Sequence, residues 1–385
     1  MPEVLFTRRR ARGVVAGAWL PGRPSDTRLT SVQMESKPAV SGALAAIAAC
    51  ESSWSRDNSP PWGIHADDPP PHNKLLGPVY PRGRVAALIF QDGVELGRLG
   101  DIERSDLTFS VAKTYLALIA GVAHDCGLLP DPDEPVLRRC PGIGFESEHN
   151  RPITWRQLLQ QTSEWEGECM GVPDQVDRWR WLAYQPGAAR GKKGTHRPLE
   201  RPGSYFDYND VRINQLSLAL MHLVKQPLPD FFRQRILAPC ACTDAFRWDG
   251  YAQGVSCVGG VPMLSVPGGS HWGGGVSISA RDQARIAQMI LADGVGPEGK
   301  RVISSAWIHA MHTPCAVAPF YGLLTWLNTA RGIFPSASEH SVFALGAGSS
   351  VVWIDRSRGL VAVLRWIDAA QTDRCLAAIL ADLPG

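Results

Sequence analysis

Lysine is scarce in this chain: the 39 basic residues of the 385-residue sequence divide into 7 Lys and 32 Arg, so the place of any one lysine is informative. Also missing is any apolar run near the ~20 residues that a membrane-crossing helix needs, and no membrane partner is expected. No run of five basic residues occurs and the net charge is only +2, which removes the electrostatic footprint of a nucleic-acid binder. Nine cysteines are present, but the number is odd and the spacing fits neither a disulfide framework nor a zinc site. Cys240-Ala241-Cys242 has no second Cys or His pair to complete a metal site, so no metal and no other cofactor is expected. Mostly buried thiols in a reducing compartment fit better.

What is there is ordinary for a globular protein, 44% hydrophobic and 20% charged. Arg8, Arg9, Arg10 and Arg12 precede a short apolar stretch from Val14 to Leu20 that meets Pro21-Gly22 without a small-residue cleavage site. A cytoplasmic chain is the expectation, with secretion left open. Residues 1–35 read as a disordered or leader tail, and Met34 would also serve as a start.

Beyond the tail, residues 39–50 are Ala-rich and helical, and 54–83 form a Pro-rich connector. Two strand-length runs, Val85 to Phe90 and Val94 to Leu99, flank Asp92-Gly93, a strong hairpin signal. Val111 to Leu129 reads as a long buried helix. Helical patterns at 154–161, 211–224 and 231–237 alternate with polar, Pro- and Gly-rich loops. Ser279 to Asp282 reads as a capped helix start. Strand character returns at 320–328, 341–345, 350–354 and 360–367, and 375–383 closes as a helix. The expected fold is α+β: an antiparallel sheet flanked by helices, built from 36–109 and 251–385, plus a mostly helical second lobe from 110–250. A site is expected in the cleft between lobes.

Ser110-Val111-Ala112-Lys113 places a serine and a lysine on one helix face, one turn apart. A serine in the first turn sits at the positive end of the helix dipole, which favours developing negative charge. A lysine held in the apolar wall of Tyr115, Leu116 and Ala117 loses its proton more readily and can act as a base. Lys113 is the one lysine with Ser three residues before it. A capping serine beside a snorkelling lysine is the bland alternative, against which the apolar setting argues. Gly-x-Ser-x-Gly does not occur, and none of the ten histidines sits in a recognisable motif.

With these motifs in place, the chain resembles the penicillin-recognising serine hydrolases, in particular the class C β-lactamase-like branch that also holds carboxylesterases and the 6-aminohexanoate-dimer hydrolase. Residues 107–113 resemble the nucleophile segment, 153–163 (ITWRQLLQQTS) the helical-lobe segment, and 202–210 (PGSYFDYND) the stretch carrying the catalytic tyrosine. Residues 236–239 and 273–282 fit in order as well. The resemblance implies the β-lactamase/transpeptidase-like fold, with Ser110 as nucleophile, Lys113 and Tyr208 sharing its proton, and backbone amides of Ser110 and Ser349 as the oxyanion hole. Tyr205 is the rival for the tyrosine role. Three departures stand out. Glu164 replaces the usual Gly after Thr162-Ser163, Asp210 replaces the Asn of Tyr-x-Asn, and Gly346-Ala347-Gly348 replaces Lys-Thr-Gly. The last change removes the Lys and Thr that hold a penicillin carboxylate.

The expected function is therefore hydrolysis of a small-molecule ester or amide through an acyl-enzyme on Ser110. A β-lactamase or D-amino-acid peptidase using the same residues, or a non-catalytic penicillin-binding-type sensor, are the alternatives. Trp165, Trp272, Asp210, Gly346 and Gly348 are the candidate substrate-binding residues. Core packing is the competing reading of each Trp. A homodimer is left open.

Overall fold

Asp92 and Gly93 both take positive φ, 49° and 79°, the combination that a two-residue hairpin turn matched to strand twist requires. They join β1 (Ala86–Gln91) to β2 (Val94–Leu99) in antiparallel pairing. The computed structural model describes residues 39–384 except Pro61 and Asp244, so the expected N-terminal tail lies outside the described residues.

Four strands from the far end of the chain complete the sheet: β3 (Trp326–Leu327), β4 (Ser341–Gly346), β5 (Ser350–Asp355) and β6 (Leu360–Arg365). The order is β3-β4-β5-β6-β1-β2, with β6 running antiparallel to β1 from Ala86↔Arg365 to Gln91↔Leu360. Every residue of β4, β5 and β6 is buried, so this sheet is covered on both faces. Full burial of each Val or Leu contributes roughly 1.5–3 kcal/mol relative to exposure.

The cover is helical. α1 (Ser41–Ala48) lies against β1 and β2, and α2 (Val111–Asp125) lies against β4 and β5. The short α3 (Trp155–Leu159) starts at a full capping box, Thr154 with Gln157, and α4 (Asp210–Val224) packs on both α2 and α3. α5 (Ala280–Leu291) is capped by Ser279, whose Oγ accepts from the Asp282 amide at 3.0 Å, and it covers β1, β5 and β6. α6 (Thr372–Asp382) pairs with α1, joining the two ends of the fold. The architecture is the expected α+β one. Among the described residues no helix is long and apolar enough to cross a membrane.

Two of the element boundaries that differ from the sequence reading have a local backbone cause. Residues 320–328 form a strand only at β3, because Leu324 sits at positive φ (49°) and its amide bonds to Leu159 O, turning the chain away. The nucleophile helix stops at Asp125, where Gly127 at φ 73° reverses the backbone.

Candidate active site

The segment ahead of Ser110 is pinned before the helix begins. Asp106–Leu107 pair with Gly275–Ile278, and the Thr108 amide donates to Val276 O at 2.8 Å. Phe109 then adopts positive φ (51°), a conformation that costs a non-glycine residue energy and persists only where the surroundings enforce it. Here they do: the Phe109 ring is fully buried against Trp54, Trp62 and Trp366, with centroids 5.5, 5.8 and 6.4 Å away. This kink delivers Ser110 to the N-cap of α2, at the positive end of the helix dipole.

Lys113 is 1% exposed, and its Nζ donates to Ser110 Oγ at 2.9 Å. It also pairs with Asp210 Oδ1, at the start of α4. Burial pushes the Lys113 ammonium below the ordinary lysine value; Asp210 pulls the other way without cancelling it. Asp210 itself is held well below the usual carboxylate range: burial favours its neutral form, but the charges of Arg180 and then Lys113 prevail. Gly269 makes room for this pair, since a Cβ there would stand 2.6 Å from Lys113 Nζ and 2.7 Å from Asp210 Oδ1.

Tyr208 brings its ring beneath both cations, with Lys113 Nζ 4.8 Å and Arg180 Cζ 5.2 Å from the centroid. Its hydroxyl is buried and makes no hydrogen bond among the described residues, though Ser110 stands close enough to favour its ionised form. Burial, reinforced by Asp210, pushes this phenol above its ordinary value, so it is protonated at neutral pH. Tyr205 lies elsewhere, under the guanidinium of Arg197.

Ser110 opens onto a cavity of about 580 Å³ that is also lined by Gly346, Gly348 and Ser349. The apolar part of its wall comes from Leu182, Ala183, Tyr184, Ile333, Phe334 and Leu345. β4 reaches the nucleophile at Gly346, where a Cβ would meet Thr108 O at 2.0 Å and Ser110 N at 3.2 Å. The turn after β4 then carries Ser349 at φ 52°. Neither the Ser110 nor the Ser349 amide is bonded to an acceptor among the described residues.

The other candidate binding residues lie off this cavity. Trp165 is buried and its Nε1 donates to Gly144 O at 2.7 Å, while Trp272 is fully buried with Nε1 bonded to Asp68 and His72 O. Both are structural, their indole N–H groups consumed by the fold. Asp210 is 1% exposed and faces Lys113 and Arg180 rather than the cavity, which corrects its reading as a substrate contact. Sequence reasoning missed Arg180 and Tyr184, which line the cavity from a loop without periodicity. Asp177, Asp210 and His271 converge closely enough to hold a cation, but Arg180 Nη1 already stands among them, 3.2, 2.7 and 3.2 Å away.

The family model described as Beta-lactamase matches residues 107–376, a span that includes every residue of this site from Ser110 to Ser349. None of the curated proteins matches the chain. Similar solved structures include a putative beta-lactamase from Bacteroides dorei DSM 17855, at 16% identity and TM-score 0.55 over 80% of this chain and 93% of that one. A penicillin-binding protein homolog from Caulobacter crescentus is similar at 16% identity and TM-score 0.55, over 89% and 98%. A D-stereospecific amidohydrolase from Streptomyces sp. is similar at 17% identity and TM-score 0.52, over 88% and 98%. These likenesses establish the shared fold.

Proposed function

Because the chain belongs to the beta-lactamase family, we propose that it is a serine hydrolase that cleaves an ester or amide through an acyl-enzyme on Ser110. The observation that carries this reading is the 2.9 Å contact from Lys113 Nζ to Ser110 Oγ, in a site where burial depresses the lysine and a 580 Å³ cavity reaches the serine. Ser110 Oγ attacks the carbonyl carbon as Lys113 takes the hydroxyl proton. The carbonyl oxygen, now negative, is met by the amides of Ser110 and Ser349 and by the positive end of α2. Tyr208, a neutral phenol beside Ser110, gives its proton to the departing alkoxide or amine and regains one from Lys113. Water then attacks the acyl-enzyme by the reverse proton route and frees the acid.

An apolar acyl group suits the wall formed by Leu182, Ile333, Phe334 and Leu345. A penicillin suits it poorly. The turn after β4 offers no cationic side chain, and Arg180, the one cation lining the cavity among the described residues, is tied to Asp210 and Asp177.

Assay of p-nitrophenyl esters beside a chromogenic cephalosporin, on wild type and Ser110→Ala, tests the reading. Turnover of the ester that Ser110→Ala abolishes is expected. Cephalosporin turnover without ester turnover would reassign the chain as a β-lactamase, and a single-equivalent burst with no steady state would make it an acylated sensor.

A further inference from the structure

A base that must accept a proton is poorly served by a buried carboxylate in direct contact with it. Asp210 Oδ1 touches Lys113 and stabilises its ammonium, which keeps the lysine protonated at rest and so without a free electron pair for the Ser110 proton. Something has to occupy that carboxylate. The other oxygen, Oδ2, accepts from Arg180 Nη1 at 2.7 Å, and Arg180 is a guanidinium that stays charged at any working pH. Lys113 and Arg180 thus divide one carboxylate between them, and both sit over the same Tyr208 ring. With Asp210, Arg180 makes an electroneutral pair.

We propose that Arg180 is a positioning residue that occupies Asp210 and so leaves Lys113 free to accept the Ser110 proton. The inference rests on the hydrolase reading above. The charge of Arg180 also acts on Lys113 directly, lowering its hold on a proton alongside burial and against Asp210. The remaining groups around the pair do not replace it. Asp177 accepts from Arg180 at 3.2 Å and from the Asp210 amide at 2.6 Å, holding both in register. His271 lies 3.3 Å from Asp210 Oδ2 through Nδ1, and its Nε2 faces Asp68 at 2.9 Å and Lys193 at 3.1 Å. Lys193 in turn pairs with Asp68 and lies 3.4 Å from Asp177, so its charge is spent on those two carboxylates. On the Lys113 side stand Ser110 and the phenol of Tyr208.

The proposal makes opposed predictions for two single substitutions. In Arg180→Met, Asp210 is left to Lys113 alone, and the acid limb of kcat/KM against pH should move up by about one unit or more, a tenfold loss of activity on that limb for each unit. In Asp210→Asn, Arg180 faces Lys113 without a screen, and the limb should move down. The double variant Arg180→Met/Asp210→Asn removes both charges and should return the limb toward wild type, and Arg180→Lys should hold it in place. A structural role alone would lower activity in each variant without moving the limb in opposite directions. The proposal is overturned if the limb of Arg180→Met stays where wild type has it, or if the double variant is merely the sum of two losses. Should Arg180→Met fail to fold by circular dichroism, Asp210→Asn and the double variant still form the comparison, and an unmoved limb in Asp210→Asn overturns the proposal. A second readout needs no turnover: the Lys113 side-chain NMR signal, assigned with Lys113→Met, should titrate higher in Arg180→Met than in wild type. If wild type shows no Ser110-dependent turnover, the hydrolase reading fails, and the NMR titration still decides the part played by Arg180.

Discussion

Lys113 Nζ stands 2.9 Å from Ser110 Oγ with only 1% of the lysine exposed, so the amine that meets the hydroxyl is itself shielded from water. Substitution of the amine should therefore cost most of the rate. Lys113→Met is expected to lower kcat/KM by about 10²–10⁴-fold, the range for loss of a positioned acid or base. Lys113→Arg should not restore it, because a guanidinium does not give up its proton in this pH range. Ester hydrolysis by each variant, with circular dichroism as the check on folding, measures this.

Tyr208 separates chemistry from packing. Tyr208→Phe keeps the ring under Lys113 and Arg180 and removes a hydroxyl that has no hydrogen-bond partner among the described residues. Thermal stability should thus change little, while kcat falls by about 10²-fold or more. The loss should be greater for amides than for p-nitrophenyl esters, whose leaving group needs no proton. Equal loss on both substrates would take leaving-group protonation away from Tyr208.

Gly346 is the point at which β4 meets the nucleophile. A methyl there would sit 2.0 Å from Thr108 O, and the strand must back away from Ser110 to admit it. Gly346→Ala should lower kcat by about 10²–10³-fold, the cost of losing one oxyanion-hole donor, with KM changed far less. Steady-state kinetics on the folded variant give both constants.

Glu164, which stands where the family usually has glycine, is buried under two arginines. Arg197 donates to it through both terminal nitrogens, at 2.5 and 2.6 Å, and Arg212 through one at 2.6 Å. Burial alone would raise its pKa; Arg197 and Arg212 outweigh burial and lower it to about 2. An unfolded glutamate titrates near ~4.3, so this group contributes stability that is complete above that value and is lost as pH falls toward its folded value. Glu164→Gln should be less stable than wild type at neutral pH, and the gap should shrink by about 2 kcal/mol between about pH 6 and pH 3. Denaturant unfolding of the two proteins across that range reads it. A gap that widens in acid would contradict the assignment.

Where local chemistry dictates structure, the fold was legible. Asp92-Gly93 forced the hairpin, and Ser279 the start of α5. The 320–328 run was apolar but is a strand only at β3, because burial of Tyr321, Leu323 and Leu324 needs no extended backbone. In the site, Ser110 and Lys113 could be read because one helical turn places them together. Arg180 and Tyr184 could not: their loop has no period, and the partners that fix Arg180 lie on other segments, Asp210 thirty residues on and His271 ninety-one. The exchange of an amide for a carboxylate at Asp210 was visible, but the cation that answers it was hidden in that loop. Trp165 and Trp272 misled for a related reason, since an indole reads the same in a pocket as in a core.

Mass-spectrometric mapping of the chain after reaction with a fluorophosphonate or a slow p-nitrophenyl ester bears most directly on the central claim. One adduct per chain, on the peptide carrying Ser110, slowed in Lys113→Met and absent in Ser110→Ala, is the expected result. An unlabelled folded protein, or an adduct on any other residue that survives Ser110→Ala, would contradict it.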